Sequence, residues 1–231
     1  MIRCGVIGFG LHAVRRLMPG FAMATNSRVT ALSRRNLREA RQSAAEYKIL
    51  HAFDSATSLC RCTDVDAVFV ATPNSSHLHN VIVAIGSGKS VLCEKPMGLN
   101  SNECSLMVAA ARTAKVVLGV AQIFRFAHSI NCVAAGQIGK PVLARVFVSW
   151  GHSDPVAIEL RRGAEVVDRE VVWKTDAYAR QIDAFSAALE GGLQFPVPGE
   201  EGWQNQEVVD AAYRSAGTGK IETVRTLERT K

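Results

Sequence analysis

The sequence predicts an α/β protein: an N-terminal doubly wound parallel sheet, followed by a truncated α+β domain with a small, mostly antiparallel sheet. Three observations carry that prediction. The chain opens on an apolar strand that runs straight into Gly8-Phe9-Gly10-Leu11-His12-Ala13. Continuous apolar runs recur at 67–71 and 91–93 with helical stretches between them, as in a sheet covered on both faces. The length of 231 residues suits one large domain or one and a half ordinary ones.

Residues 1–7 alternate and then turn fully apolar, as a central parallel strand does. The following GxGxxA string predicts a tight turn at Gly8, close approach of the backbone to a pyrophosphate at Gly10, and close helix–sheet packing at Ala13. A helix is expected from about Val14. Ser27 to Leu32 is the second strand. An NAD-preferring fold calls for an acidic residue at its end, and Ser33-Arg34-Arg35 stands there instead. A carboxylate would repel a 2′-phosphate, whereas a hydroxyl and guanidinium groups bind it through charge-assisted hydrogen bonds. With Arg38 one helical turn beyond Arg34, NADP is preferred over NAD. A solvated basic helix face is the competing reading of this cluster.

Asn36 is the expected N-cap of a helix reaching Tyr47. The strand at 67–71 ends in Thr72-Pro73-Asn74-Ser75-Ser76-His77, at the carboxyl edge where ligands of open α/β sheets bind. His79 reads as exposed or structural. A helix to about Ile85 and the turn Gly86-Ser-Gly88 lead to the strand Ser90–Cys93 and then to Glu94-Lys95-Pro96. Proline removes a ladder donor, so the chain leaves the sheet there with Lys95 beside the glycine turn. An ammonium in that place can stabilise alkoxide character on a substrate oxygen. A surface Glu–Lys pair is the plainer alternative.

Composition narrows the classes. No apolar run approaches the ~20 residues of a membrane span, and the first strand enters the glycine turn without a signal-peptide pattern. Net charge is +6 and the pI about 9.2, but the basic residues are dispersed apart from Arg34, Arg35, Arg38 and Arg41. Without an aromatic-interleaved basic stripe, a local anion site is expected rather than nucleic acid. The six cysteines are unevenly spaced, and Cys60 and Cys62 form only a CxC pair. Buried thiols in a reducing cytoplasm are expected, with no metal site.

Gly5-Val-Ile-Gly-Phe-Gly10, Asp64-Val-Asp-Ala-Val68, Ala71-Thr-Pro-Asn74 with His77, and Gly88-Lys-Ser-Val-Leu-Cys-Glu-Lys-Pro96 together resemble the Gfo/Idh/MocA family of NAD(P)-dependent oxidoreductases. The resemblance implies a Rossmann domain over 1–121 and an α+β domain over 122–231 whose open sheet mediates homo-oligomers. It implies that Lys95 is the catalytic-site lysine. It places Gly8, Phe9, Gly10, Leu11, His12, Ser33, Arg34, Arg38, Ala71, Thr72, Pro73, Asn74, His77, Glu94 and Lys95 along the cofactor, with Tyr178 on the nicotinamide side. A core tyrosine is the alternative for Tyr178. Ser33, Arg34 and Arg38 look most like the family's NADP-dependent sugar reductases, so a small carbohydrate-like substrate is implied.

Lys115 to Val120 reads as the sixth strand, and Gln122 and Arg125 stand where the family lines its site with polar groups. Gly136-Gln-Ile-Gly-Lys-Pro141 resembles a family turn, and 142–150 alternates like a half-exposed strand. After Trp150 the family's helix bearing Asp-x-x-x-His is missing, and His152 or Tyr178 would have to replace it. The stretches 156–160 and 165–173 read as a hairpin. Tyr178, Ile182, Phe185 and Leu189 mark one helix face ending at Gly191-Gly192, and Val208, Val209, Ala212 and Tyr213 the apolar face of a last helix. Ile221 to Val224 resembles a closing extended segment. The middle of the second domain is thus expected to be absent. Two functions follow: an NADP-dependent oxidoreductase of a sugar, polyol or related carbonyl, and a catalytically impaired NADP-binding protein.

Overall fold

A computed structural model describes residues 1–126, 156–162, 165–172, 174–191 and 193–226. Six strands form one parallel sheet: β1 Ile2–Ile7, β2 Ser27–Ser33, β3 His51–Phe53, β4 Ala67–Val70, β5 Ser90–Glu94 and β6 Leu118–Ala121. Their spatial order is β3-β2-β1-β4-β5-β6. The chain winds outward from β1 through β2 to β3, then crosses to β4 and winds outward the other way. The switch therefore lies between β1 and β4, where such sheets open a crevice at their carboxyl ends. Registers Ile7↔Ser33, Ile7↔Val70 and Val70↔Cys93 bring the ends of β1, β2, β4 and β5 level.

Burial explains the apolar runs. β4 is buried along its whole length and β5 from Val91 onward, as strands between two helical layers are. After the glycine turn the chain is helical from residue 11, earlier than Val14. Its first turns, Ala13–Leu17, are wound as π-helix and continue as the α-helix α1, Met18–Met23. Ala13 is fully buried beneath it. The helix α2, Leu37–Tyr47, is capped as expected: the Asn36 side chain accepts from the backbone N–H groups of Arg38 and Glu39.

Three elements are less legible in the sequence. β3 is three residues long and α3, Ala56–Cys60, only five, too short for periodicity. After α4, His77–Gly86, and β5 comes α5, Ser101–Ala114, capped by Asn100 and buried at Cys104, Met107, Val108 and Ala111. That helix closes on Lys115 in the left-handed conformation (φ 56°), so the sixth strand starts at Leu118 and not at Lys115.

Beyond the sheet, β7 Val156–Arg162 pairs antiparallel with β8 Glu165–Val172. Two longer helices follow, α6 Lys174–Leu189 and α7 Gly199–Thr218. Helix α6 packs on α1, and α7 packs on α5 and β6. Ile182 and Phe185 are buried and Tyr178 and Leu189 half-buried, matching the face expected of α6. The expectation for α7 is corrected. Val208, Val209, Ala212 and Tyr213 are exposed, and Gly202, Trp203, Glu207 and Ala211 are buried. The reason is close approach: a Cβ on Gly202 would stand 2.5 Å from Val120 Cγ2, so the contact selects glycine rather than bulk. The Gly136–Pro141 turn, the strand at 142–150, His152 and Gly192 lie outside the described residues.

Cys4, Cys60, Cys62, Cys93 and Cys104 are free thiols. Burial pushes Cys4 and Cys104 up to about 12 and Cys60 to about 11, and holds Cys93 well above the usual thiol range. No helix among the described residues is long and apolar enough to cross a membrane.

Candidate functional site

Three strand ends converge at the carboxyl edge. After β1, Gly8 adopts φ +84°, and a Cβ there would lie 2.6 Å from Thr72 Cγ2 and 2.9 Å from Thr72 N. Glycine is therefore required twice, for conformation and for contact with the turn after β4. The Gly8 and Phe9 N–H groups both donate to the Ser33 carbonyl (3.2 and 2.9 Å), which ties the turn to the end of β2. The Phe9 ring is buried against Tyr47, so its part in the turn is through its backbone. At Gly10 a Cβ would meet only the Gly8 carbonyl oxygen, at 3.9 Å. That open space at a helix start is what the pyrophosphate of a dinucleotide needs, and the residues present fit the group. Leu11 is exposed beside it.

His12 joins this turn to the strand end of β5: its Nε2 lies 2.8 Å from Glu94 Oε1. Glu94 Oε2 accepts from the Lys95 backbone N–H at 3.1 Å. Glu94 is buried, whereas the Lys95 side chain is exposed beside it. The Lys95–Pro96 peptide bond is cis. Tyr178, arriving on α6, sets its ring 6.2 Å from His12 in an edge contact. Burial and, secondarily, the Glu94 charge push the Tyr178 phenol up to about 12, so it keeps its proton at neutral pH.

The turn after β4 is braced from beneath. His77 is fully buried, and its ring nitrogens face the Thr72 carbonyl (2.8 Å) and the Pro96 carbonyl (2.9 Å). Asn80, one helical turn on, donates to Thr72 Oγ1 at 3.1 Å. Sequence reasoning overlooks Asn80, and its i, i+3 spacing from His77 is the signal that reveals it. Ala71 and Thr72 are half-buried, and Pro73, Asn74 and His79 are exposed.

The basic cluster divides. Arg34 donates to Ser43 Oγ (2.9 Å) and Glu39 Oε2 (2.6 Å), so part of its charge is already answered. Arg35 and Arg38 are exposed, and among the described residues neither forms an ion pair. Ser33 is buried at the end of β2.

A cavity of about 500 Å³ opens beside Lys95. Pro96, Met97 and Val120 line it from the sheet side, Gln122 and Arg125 from the segment after β6, and Gly202, Asn205, Gln206 and Val209 from α7. Gln122 and Arg125, expected from the resemblance to line the site, are in the lining of this cavity. The contribution of α7 is not legible from its pattern.

A glycine turn at the switch point of a six-stranded doubly wound sheet defines a dinucleotide-binding Rossmann protein. The family model of the Gfo/Idh/MocA oxidoreductases, described as an oxidoreductase family with an NAD-binding Rossmann fold, matches residues 2–122, and the chain belongs to this family. It is 38% identical over 151 residues to 1,5-anhydro-D-fructose reductase of Ensifer adhaerens, covering 64% of this chain and 45% of that protein. It is 29% identical over 230 residues to the trans-1,2-dihydrobenzene-1,2-diol dehydrogenase of Sus scrofa, covering 98% of this chain and 62% of that one. The chain thus spans less than two thirds of either relative. The crystal structure of KijD10, a 3-ketoreductase from Actinomadura kijaniata in complex with NADP and TDP-benzene, superposes with a TM-score of 0.55 at 29% identity, over 59% of this chain and 42% of that one. A probable dehydrogenase from Thermotoga maritima reaches a TM-score of 0.74 at 17% identity, covering 95% of this chain and 98% of that one, a likeness of fold.

Proposed function

We propose that the chain is an NADP(H)-dependent oxidoreductase acting on a sugar, polyol or related carbonyl compound. The observation that carries the reading is the convergence of the open glycine turn, the His12–Glu94 contact and exposed Lys95 on one edge, beside the cavity. Residues 8–12 would hold the pyrophosphate, with Ala71, Thr72, Pro73 and Asn74 along the opposite wall. Ser33, Arg34 and Arg38 would hold a 2′-phosphate, with the exposed Arg38 guanidinium supplying the charge that Glu39 partly cancels at Arg34. His77 would act through the two loops it joins. When bound, the nicotinamide supplies the hydride donor or acceptor.

Lys95 would offer its ammonium to the substrate oxygen, where negative charge grows during hydride transfer. Tyr178, kept protonated, would donate a hydrogen bond near His12 without becoming a base at neutral pH. In this reading residues 1–121 bind the cofactor. Residues 122–231 form a reduced substrate and oligomerisation domain with a small, mostly antiparallel sheet, in a cytoplasmic protein. The activities for which two of these relatives are named, reduction of 1,5-anhydro-D-fructose and of a 3-keto group, support a carbohydrate-like substrate.

One observation favours a second reading, NADP(H) binding with impaired turnover: the sequence after Trp150 carries no Asp-x-x-x-His segment. NADP-linked turnover on a panel of sugars and polyols, with Lys95→Ala as control, separates the two. The first reading predicts turnover that falls about 10²–10³-fold in Lys95→Ala. Cofactor binding with no Lys95-dependent turnover would establish the second.

A further inference from the structure

The opposite, amino edge of the sheet carries a cluster that the cofactor chemistry does not use. His51 opens β3, and Cys62 and Asp64 lie on the connection between α3 and β4. His51 Nε2 stands 2.8 Å from Asp64 Oδ2, and one ligand atom from each of His51, Cys62 and Asp64 lies within 4.8 Å of the others. All three residues are half-buried. The CxC spacing of Cys60 and Cys62 conceals this set, because its nitrogen donor comes from another strand. Cys60 is buried in the core, and among the described residues it belongs to no such cluster.

We propose that His51, Cys62 and Asp64 form a divalent transition-metal site of the zinc and cobalt class, with water as fourth ligand. Imidazole nitrogen, thiolate sulfur and carboxylate oxygen are the donors that four-coordinate zinc takes, and the sulfur disfavours magnesium and calcium. The connection is already held in place. The Asp64 carbonyl accepts from Thr30 Oγ1 at 2.6 Å, and Lys89 Nζ donates to the Val65 carbonyl at 2.5 Å and the Cys62 carbonyl at 3.4 Å.

Arg3 is the cation that could compete for Asp64, but its charge is answered mainly by Asp66. Asp66 takes the Arg3 Nη2 (2.7 Å), Nε (3.0 Å) and backbone N–H (2.8 Å). Only Nη1 reaches Asp64, at Oδ1 and 3.0 Å, which leaves Oδ2 turned to His51. Binding is a balanced exchange. The Cys62 thiol gives its proton to solvent, and thiolate and carboxylate together neutralise the dication, so affinity rises with pH. The site would tie edge strand β3 to the connection before β4, a structural role separate from the cofactor crevice.

The test is a titration of the chelator-stripped full chain with Co²⁺ under reducing conditions. One equivalent should produce the near-ultraviolet thiolate-to-cobalt absorption together with tetrahedral visible bands, and Zn²⁺ should bleach both. Cys62→Ser should abolish the near-ultraviolet band, His51→Ala should weaken binding at least tenfold, and Cys60→Ser should leave the titration unchanged. Thermal unfolding of each metal-free variant checks that it is folded. Absence of the band in the folded parent, or its persistence in Cys62→Ser, would overturn the proposal.

Discussion

At the carboxyl edge of the parallel sheet the chain leaves open space above Gly10, an exposed lysine and exposed arginines; at the amino edge Arg3 closes on Asp66 through its backbone N–H, Nε and Nη2. Both edges are built from the same strands, β1 and β4. The difference is whether charge is satisfied within the chain. A charge already paired contributes to stability and has little left for a ligand, whereas an exposed, unpaired one contributes little to folding and is available for binding. Substitutions on the two edges should therefore separate binding from stability.

The largest effect is expected at Gly8. Gly8→Ala meets a positive φ and the Thr72 backbone at once, and should cost about 2–4 kcal/mol in denaturant unfolding and abolish NADPH binding. Gly10→Ala is the sharper probe, since the protein leaves room for its Cβ. Stability should stay within about 0.5 kcal/mol of the parent while NADPH affinity falls tenfold or more.

The amino edge should answer the other way. Arg3→Ala removes the bidentate contact to Asp66 and should lower stability in denaturant unfolding, with NADPH affinity unchanged. The Arg3 hydrogen bond holds the Asp66 carboxyl below its usual range. The stability this contributes is present above the ordinary carboxylate pKa and is lost as pH falls through the lowered one. Acid unfolding followed by circular dichroism should therefore begin at higher pH in Arg3→Ala than in the parent.

A subtler effect involves α7. Glu207 is fully buried and takes Arg225 Nε and Nη2 (2.9 and 2.7 Å) and Arg214 Nη2 (3.1 Å). Chiefly the Arg225 hydrogen bond lowers its carboxyl from 4.5 to about 2. Because the folded value is the depressed one, its contribution is complete above about 4.5 and fades as pH drops toward about 2. The stability difference between parent and Glu207→Gln, from thermal unfolding at stepped pH, should shrink across that window. The smallest effect is Arg38→Ala: NADPH affinity about tenfold lower, NADH affinity and stability unchanged.

What was legible in the sequence is what is local. The glycine turn, the Asn36 cap and the Glu94-Lys95-Pro96 exit are each specified by neighbours in the chain, and the structure places them as expected. Helix α7 shows the limit. Periodicity points to Val208 and Tyr213, but close packing on β6 and α5 favours Gly199 and Gly202, and buries Glu207 because Arg214 and Arg225 meet it there. His12 against Glu94, and His51 against Cys62 and Asp64, are likewise pairings across the sheet that no spacing along the chain encodes.

The carboxyl edge is proposed to hold NADP(H). Side-by-side titration of the full chain with NADPH and NADH, followed by nicotinamide fluorescence, tests it directly. NADPH should bind saturably at 1:1, with NADH at least tenfold weaker. Failure to saturate with NADPH, or tighter binding of NADH, would contradict it.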